Sequence, residues 1–201
     1  MAKTDDWKIG IRNDIIQAAH VYESFAEKLY LYVFGDKYFE LLFKNTSFMH
    51  LTGVKPIMSA KRFYDLARKG RLTTNQIFFS PEHPYRMAKR KVKGLINLEA
   101  FTTDVVAVVE DLYTDSITYK IGVTDLKFVL GLVNSDKRPL WYVPQTMRVT
   151  DKAFERCGSA AFANMILCKQ VNAKKYTQIL YWDKEVPIPE HILPLIDEMC
   201  F

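Results

Sequence analysis

A change of hydrophobic period near residue 98 constrains this chain more than any other feature. Before it, Ile11, Ile15, Ala18, Ala19, Tyr22, Phe25, Ala26 and Leu29 recur at helical spacing. That pattern predicts an amphipathic helix across roughly the first thirty residues. Beyond it, residues 105–110, 117–122, 128–133, 140–143, 161–169 and 176–182 are short β-rich runs separated by polar turns. Helices followed by a meander make an α+β fold, with N-terminal helices packed on an antiparallel sheet. The expected organisation is a single domain over residues 1–201, with a helical extension over about 1–28 and a Pro-rich tail over about 184–201.

The first half also carries local signals. Residues 30–34 and 38–43 flank Gly35-Asp36 and read as a hairpin, and Asn45-Thr46 turns the chain into a strand over residues 48–52. Ser59 has the character of a helix N-cap before Ala60, with Gly70 as the stop. A further helix is expected over about 85–98.

Composition narrows the function classes. Of 201 residues 49% are hydrophobic, with 8 Gly and 8 Pro, which describes a folded chain and not a disordered one. No apolar run is long enough to span a membrane, and the stretch from Met1 to Trp7 lacks the apolar centre of a signal peptide. Cys157, Cys168 and Cys200 have no CxxC spacing, so neither a disulfide framework nor a zinc site is expected, and a reducing cytoplasm fits. HExxH, P-loop, dinucleotide glycine and GxSxG patterns are missing, and the carboxylates form no metal-ligand cluster. No metal or cofactor is therefore expected. The net charge of +5 suits an anionic partner.

Four segments carry candidate chemistry. In Phe48-Met49-His50-Leu51-Thr52-Gly53-Val54, a strand would point His50 and Thr52 to one face, an acid/base pair beside a hydroxyl. The other reading of that string is a core histidine satisfied by a backbone carbonyl. On the second helix, Arg86, Lys89, Arg90 and Lys93 fall at i, i+3, i+4 and i+7 and form a stripe of like charge that an anion would relieve. A solvated face is the alternative. Trp141-Tyr142-Val143-Pro144-Gln145-Thr146 brings Tyr142 and Thr146 forward as phosphate or base contacts, or as core. Lys169 ends an apolar run, where its position would be well fixed. His20, His83 and His191 read as structural or incidental, in a helix, a Pro-flanked loop and the tail.

Taken in order, Phe48 to Val54, Ser59-Ala60-Lys61-Arg62-Phe63-Tyr64, Lys93 with Leu95 and Leu98, Tyr119-Lys120-Ile121-Gly122, Leu130-Gly131, and Tyr142 to Thr146 resemble a phage and mobile-element branch of the barnase/EndoU/colicin/RelE-like nuclease superfamily. The resemblance spans roughly residues 25–182 and is most specific in His50-Leu51-Thr52-Gly53. It implies metal-independent RNA cleavage through the ribose 2′-hydroxyl. His50 would be acid or base, Thr52 or Thr146 would hold a phosphate oxygen, and Lys93 or Lys169 would neutralise charge. Tyr142 would position a base or donate a proton. The family pattern often has Ser where Thr146 stands, so the hydroxyl is kept. Lys61, Arg62, Arg86, Lys89, Arg90 and Lys93 are the expected nucleic-acid contacts. The implied setting is the cytoplasm of a bacterial host, where a small structured or guide RNA would be cut to counter host defence. The alternative is a non-catalytic inhibitor of anti-CRISPR type, binding a host protein–RNA complex through the same basic surface. Clustering of His50, Thr52, Lys93, Tyr142 and Thr146 in one cleft would favour the enzyme; their dispersal, with His50 buried, would favour the binder.

Overall fold

The computed structural model describes residues 6–114, 117–135, 140–149 and 152–200. Residues 1–5 of the N-terminal stretch read for a leader lie outside them. Four helices come first: α1 (Asp6–Phe25), α2 (Ser47–Thr52), α3 (Ala60–Arg68) and α4 (Tyr85–Ile96). The hairpin of β1 (Lys28–Phe34) and β2 (Lys37–Leu42) stands between α1 and α2. Then come β3 (Ala107–Tyr113), β4 (Thr118–Thr124), β5 (Phe128–Asn134), β6 (Trp141–Val149), β7 (Ser159–Phe162), β8 (Met165–Gln170) and β9 (Gln178–Trp182). The fold is α+β, with the helical layer against one nine-stranded sheet of order β7-β3-β4-β5-β6-β2-β1-β8-β9. All of its pairings are antiparallel except the short β2·β6 contact. Among the described residues no helix is long and apolar enough to cross a membrane.

The sheet curls back on itself. The apolar run over 161–169 reads as one strand in the sequence but contributes to two, β7 beside β3 and β8 beside β1. Ala163 and Asn164 make the joint, where the Ala163 amide donates to the Val106 carbonyl and the Asn164 amide to the Val33 carbonyl, both at 2.8 Å. One stretch of chain therefore lies along β3 and then along β1, which a flat sheet of this order cannot do. Across the same seam Lys37 on β2 pairs with Glu110 on β3 at 2.9 Å. The carboxylate also accepts from Ser159 Oγ, and these contacts hold the Glu110 carboxyl below its ordinary range against the opposing effect of burial.

Each helix forms for a readable reason. On α1, Ile11, Ile15, Ala18, Ala19, Tyr22 and Phe25 are buried, as their spacing predicts. Ser59 caps α3, its Oγ accepting from the Arg62 amide at 3.3 Å. Residues 48–52, expected as a strand, are helical in α2. Ser47, Phe48, Leu51 and Thr52 are its buried positions, the last three an i, i+3, i+4 set, and so short an apolar run leaves periodicity ambiguous between the two states. Tertiary packing decides it: Phe48 enters an aromatic nest 5.2 Å from both Tyr22 and Tyr64 and 6.2 Å from Phe63. Two smaller apolar clusters lie beyond the main core. One puts Tyr176, Ile192 and Ile196 against Leu29, Leu31 and Leu167, so that the segment after β8 covers that part of the sheet. The other joins Val109, Leu112, Tyr119, Val129 and Ala153.

The sheet interior, not its seam, holds the fold. Phe39 is fully buried, stacked on Tyr32 at 5.2 Å. Phe39→Ala should lose about 3–5 kcal/mol in urea unfolding, whereas Lys37→Ala, at a 64% exposed side chain, should lose less than about 1 kcal/mol. Comparable losses for the two variants would assign the stability to the seam.

Candidate functional site

The backbone of β6 is irregular where the site begins. Gly131 opposes Thr146 while Leu132 opposes Pro144, so Gln145 is an extra residue on β6. The strand carries Pro144 inside it, an arrangement that a bulge permits because one ladder donor is dispensed with there. Burial accordingly passes from Tyr142 and Pro144 to Met147, leaving Gln145 and Thr146 turned towards the surface. The sequence reading ends this strand at residue 143; it runs on to Val149.

Opposite the bulge stands α4. Its outward stripe is as expected, with Arg86, Lys89, Arg90 and Lys93 all exposed. Its inward stripe is Ala88, Lys91, Val92 and Leu95, also i, i+3, i+4 and i+7. A lysine thus occupies a position that the pattern reserves for an apolar residue. Lys91 is 8% exposed and its Nζ donates to Thr146 Oγ1 at 3.5 Å. Burial, and then the neighbouring Arg148, press its ammonium below the ordinary lysine value. No carboxylate among the described residues pairs with it.

Two glycines make room for this contact. Gly53 ends α2 at φ +72°, with its amide donating to the His50 carbonyl, and a Cβ there would meet Lys91 Cδ at 2.9 Å. Gly131 sits beneath Thr146: a Cβ there would meet Thr146 Cγ2 at 2.9 Å and the Tyr119 ring at 3.0 Å. The glycine of the His-Leu-Thr-Gly string thus clears a path for a lysine almost forty positions later in the chain.

Around these groups opens a cleft of about 1280 Å³. The end of α2, the loop before α4, the first turns of α4, the β3–β4 hairpin and β6 form its walls. Lys55, Arg86, Arg90, Lys91, Arg148, Lys152 and Arg156 line it, against one carboxylate, Glu82. That carboxylate is engaged by Lys55 at 3.1 Å, which depresses its pKa. Tyr119 is 6% exposed in the wall, its phenol pushed up by burial and eased back by Arg148. His83 lines the cleft with a buried Nδ1 that has no hydrogen-bond partner among the described residues. Burial first, then the cations Lys91 and Lys55, lower its pKa from 6.5, with Glu82 opposing.

Of the residues singled out from sequence, the cleft collects His50, Thr146, Arg86 and Arg90. His50 is exposed on α2 and not a core histidine. Because residues 48–52 are helical, Thr52 does not share its face: the side chain is fully buried and donates to the Met49 carbonyl at 2.7 Å. Tyr142 is buried with its ring 5.7 Å from Phe39, outside the cleft. Lys169 lies elsewhere on β8, with its Nζ 4.4 Å from the Tyr176 ring centre, 3.9 Å from Glu40, and donating to the Lys174 carbonyl. Lys61, Arg62, Lys89 and Lys93 are exposed but do not line the cleft. Lys91, Arg148 and His83 are not among the site residues expected from sequence, and Tyr119 enters there only through the string Tyr119-Lys120-Ile121-Gly122, with no role. The lysine's signal was the inward stripe of α4; Arg148 had none, because its placement depends on the bulge. Among the described residues no group of three or more His, Cys, Asp and Glu is placed to hold a metal ion.

Gly53→Ala adds a collision with Lys91 to left-handed strain and should cost about 2–4 kcal/mol in denaturant unfolding. Gly35 has φ +56° but open space around its Cβ position, so Gly35→Ala should cost only about 1 kcal/mol. Equal losses would mean that Lys91 moves aside freely.

No curated protein and no solved structure matches the chain. The family described as phage-Barnase-EndoU-ColicinE5/D-RelE like nuclease 4 matches residues 14–185. That span contains every residue lining the cleft, and the chain belongs to this family of phage nucleases.

Proposed function

We propose that the chain is an endoribonuclease that uses the cleft cations, in place of a metal ion, to stabilise the reacting phosphate. The observation that carries this is Lys91, a nearly buried ammonium beside Arg148 with no carboxylate partner among the described residues. Burying an uncompensated charge is costly, and a second cation nearby adds to the cost. A phosphate would relieve both. Thr146 Oγ1 accepts from Lys91, which leaves its own proton free to donate to a phosphate oxygen. Lys91, Arg148 and Thr146 therefore converge on the charge that grows as the phosphorus becomes pentavalent.

The proton transfers fall to the two histidines lining the cleft. His83, kept neutral by burial and cationic neighbours, takes the proton from the ribose 2′-hydroxyl. The 2′-oxygen attacks phosphorus, the bond to the 5′-oxygen breaks, and His50 returns a proton to that leaving oxygen. The products are a 2′,3′-cyclic phosphate and a 5′-hydroxyl. The exposed stripe of Arg86, Lys89, Arg90 and Lys93 draws in the rest of the strand. The phage character of the family supports a host RNA, a small structured or guide RNA among them, as the target.

Incubation of the protein with RNA, with and without EDTA, tests this reading. Cleavage should survive chelation and leave cyclic phosphate ends; loss in EDTA with rescue by magnesium would overturn it. Lys91→Met should cut at least about a hundredfold more slowly while unfolding at an equal or higher temperature, because the buried charge is gone. A variant that unfolds early would show the ammonium to be a structural group.

The acid side of the pH–rate profile tests His83. Its folded pKa lies below 6.5, so the unfolded chain binds the proton more readily. Stability is therefore lost as pH falls below 6.5, and the base is lost as pH passes the lower folded value. Lys55→Ala removes a cation from its surroundings and should move the acid limb of the rate towards higher pH. An unmoved limb would assign the proton transfer to another group.

A further inference from the structure

The cleft has a second chemistry beside its cations. Met87 on α4, Tyr113 and Ile117 on the β3–β4 hairpin, and Val149 at the end of β6 all line it. They are 41%, 52%, 51% and 47% exposed. Single exposed apolar side chains are ordinary, but four lining one concavity indicate a surface that can take an apolar face. The backbone supports the arrangement: Asp111 takes φ +50° within β3. The buried positions of that strand then pass from Val109 to Leu112, which leaves Tyr113 beside the wall and half in solvent.

We infer that these apolar groups form a nucleobase subsite, with Tyr113 as its stacking platform, and that the cleft takes RNA as an unpaired strand. The cations that line the same cleft require a polyanion, and the apolar groups require that the polyanion also present flat apolar faces. A single strand with its bases turned out does so. A duplex does not, because its bases are stacked on one another and only sugar, phosphate and groove edges face outward. The volume of about 1280 Å³ exceeds the roughly 300–1,000 Å³ of small-molecule pockets, so more than one nucleotide fits. The inference takes from the cleavage reading only the placement of a phosphate at Lys91, Thr146 and Arg148.

Binding of a 2′-O-methyl oligoribonucleotide, which cannot be cut by 2′-hydroxyl attack, tests the subsite apart from catalysis. Tyr113→Ala should weaken binding of the single strand by about five- to a hundredfold. The salt dependence should stay unchanged, because no cation is lost. Tyr113→Phe should bind like the unaltered protein. The same sequence as a duplex, and an oligomer with abasic positions, should bind more weakly and ignore Tyr113→Ala. Equal binding of duplex and single strand, or a Tyr113→Ala variant of undiminished affinity, would overturn the subsite and leave the cleavage reading standing. Tight Tyr113-dependent binding without cleavage of the unmodified RNA would support the subsite and overturn the cleavage reading instead.

Discussion

The cleft depends on one electrostatic constraint, an ammonium kept in the wall of the fold with no acid among the described residues to neutralise it. Lys91 takes an apolar position of α4, and the protein accommodates its stem and not its charge. Gly53 withdraws a Cβ from the path of the methylenes, and Gly131 lets Thr146 and Tyr119 close in from the sheet. Thr146 answers the ammonium with a single long hydrogen bond at 3.5 Å. A site designed only for stability would place a carboxylate there. The nearest arrangement of that kind, Glu40 with Lys169 and Tyr176, lies elsewhere: there the Tyr176 hydroxyl donates to Glu40 at 2.6 Å and Lys169 lies over the ring. Among the described residues one partly buried lysine thus has a carboxylate near it and another has none, and the second lines the cleft.

The scaffold explains how such a site stays in place. The aromatic nest of Tyr22, Phe48, Phe63 and Tyr64 fixes α2 against α1 and α3, so the α2 C-terminus, with His50 and Gly53, cannot drift from α4. On the other side β6 is held by a long pairing with β5, and its pairing with β2 covers only Glu40–Trp141 and Leu41–Tyr142. Past that point its second edge has no strand partner among the described residues, and α2 and α4 pack against the strand. The bulge at Gln145 falls in this stretch. An irregular strand next to helices is where a sheet can turn a hydroxyl out of its plane without disturbing a continuous ladder.

Local chemistry in the sequence revealed most of the scaffold and part of the site. The hairpin around Gly35-Asp36, the cap at Ser59 and the exposed stripe of α4 each depend on neighbours a few residues away, so they could be read directly. The state of residues 48–52 could not, because its helical form is decided by Tyr22, Phe63 and Tyr64, which are distant in the chain. For the same reason one apolar run became β7 and β8: the joint at Ala163 and Asn164 follows from the curl of the whole sheet. His50 and Thr146, which line the cleft, stand out in the sequence because their side chains suggest chemistry by type. Lys91 was hidden among five cations in eight residues, where only the burial of Ala88, Val92 and Leu95 distinguishes it. Of the strings that carry the resemblance to the nuclease family, two reach the cleft through His50 and Thr146, whereas Thr52 and Tyr142 of the same strings are buried.

In the proposed reading α4 serves both attraction and chemistry, and its geometry supports this. Arg86, Lys89, Arg90 and Lys93 face water, where the high dielectric and salt limit each charge to a small, screened interaction. Such a stripe is suited to raising the local concentration of an anion and to guiding its approach, and is poorly suited to stabilising a transition state. Lys91 points the other way, into surroundings where the same unit charge acts with several times the strength. A one-residue offset along the helix, from Arg90 to Lys91, turns the side chain by about 100° and moves a cation from one regime to the other. The density of positive charge that makes α4 look like a simple binding helix is therefore two devices overlaid at different phases of a single helical repeat.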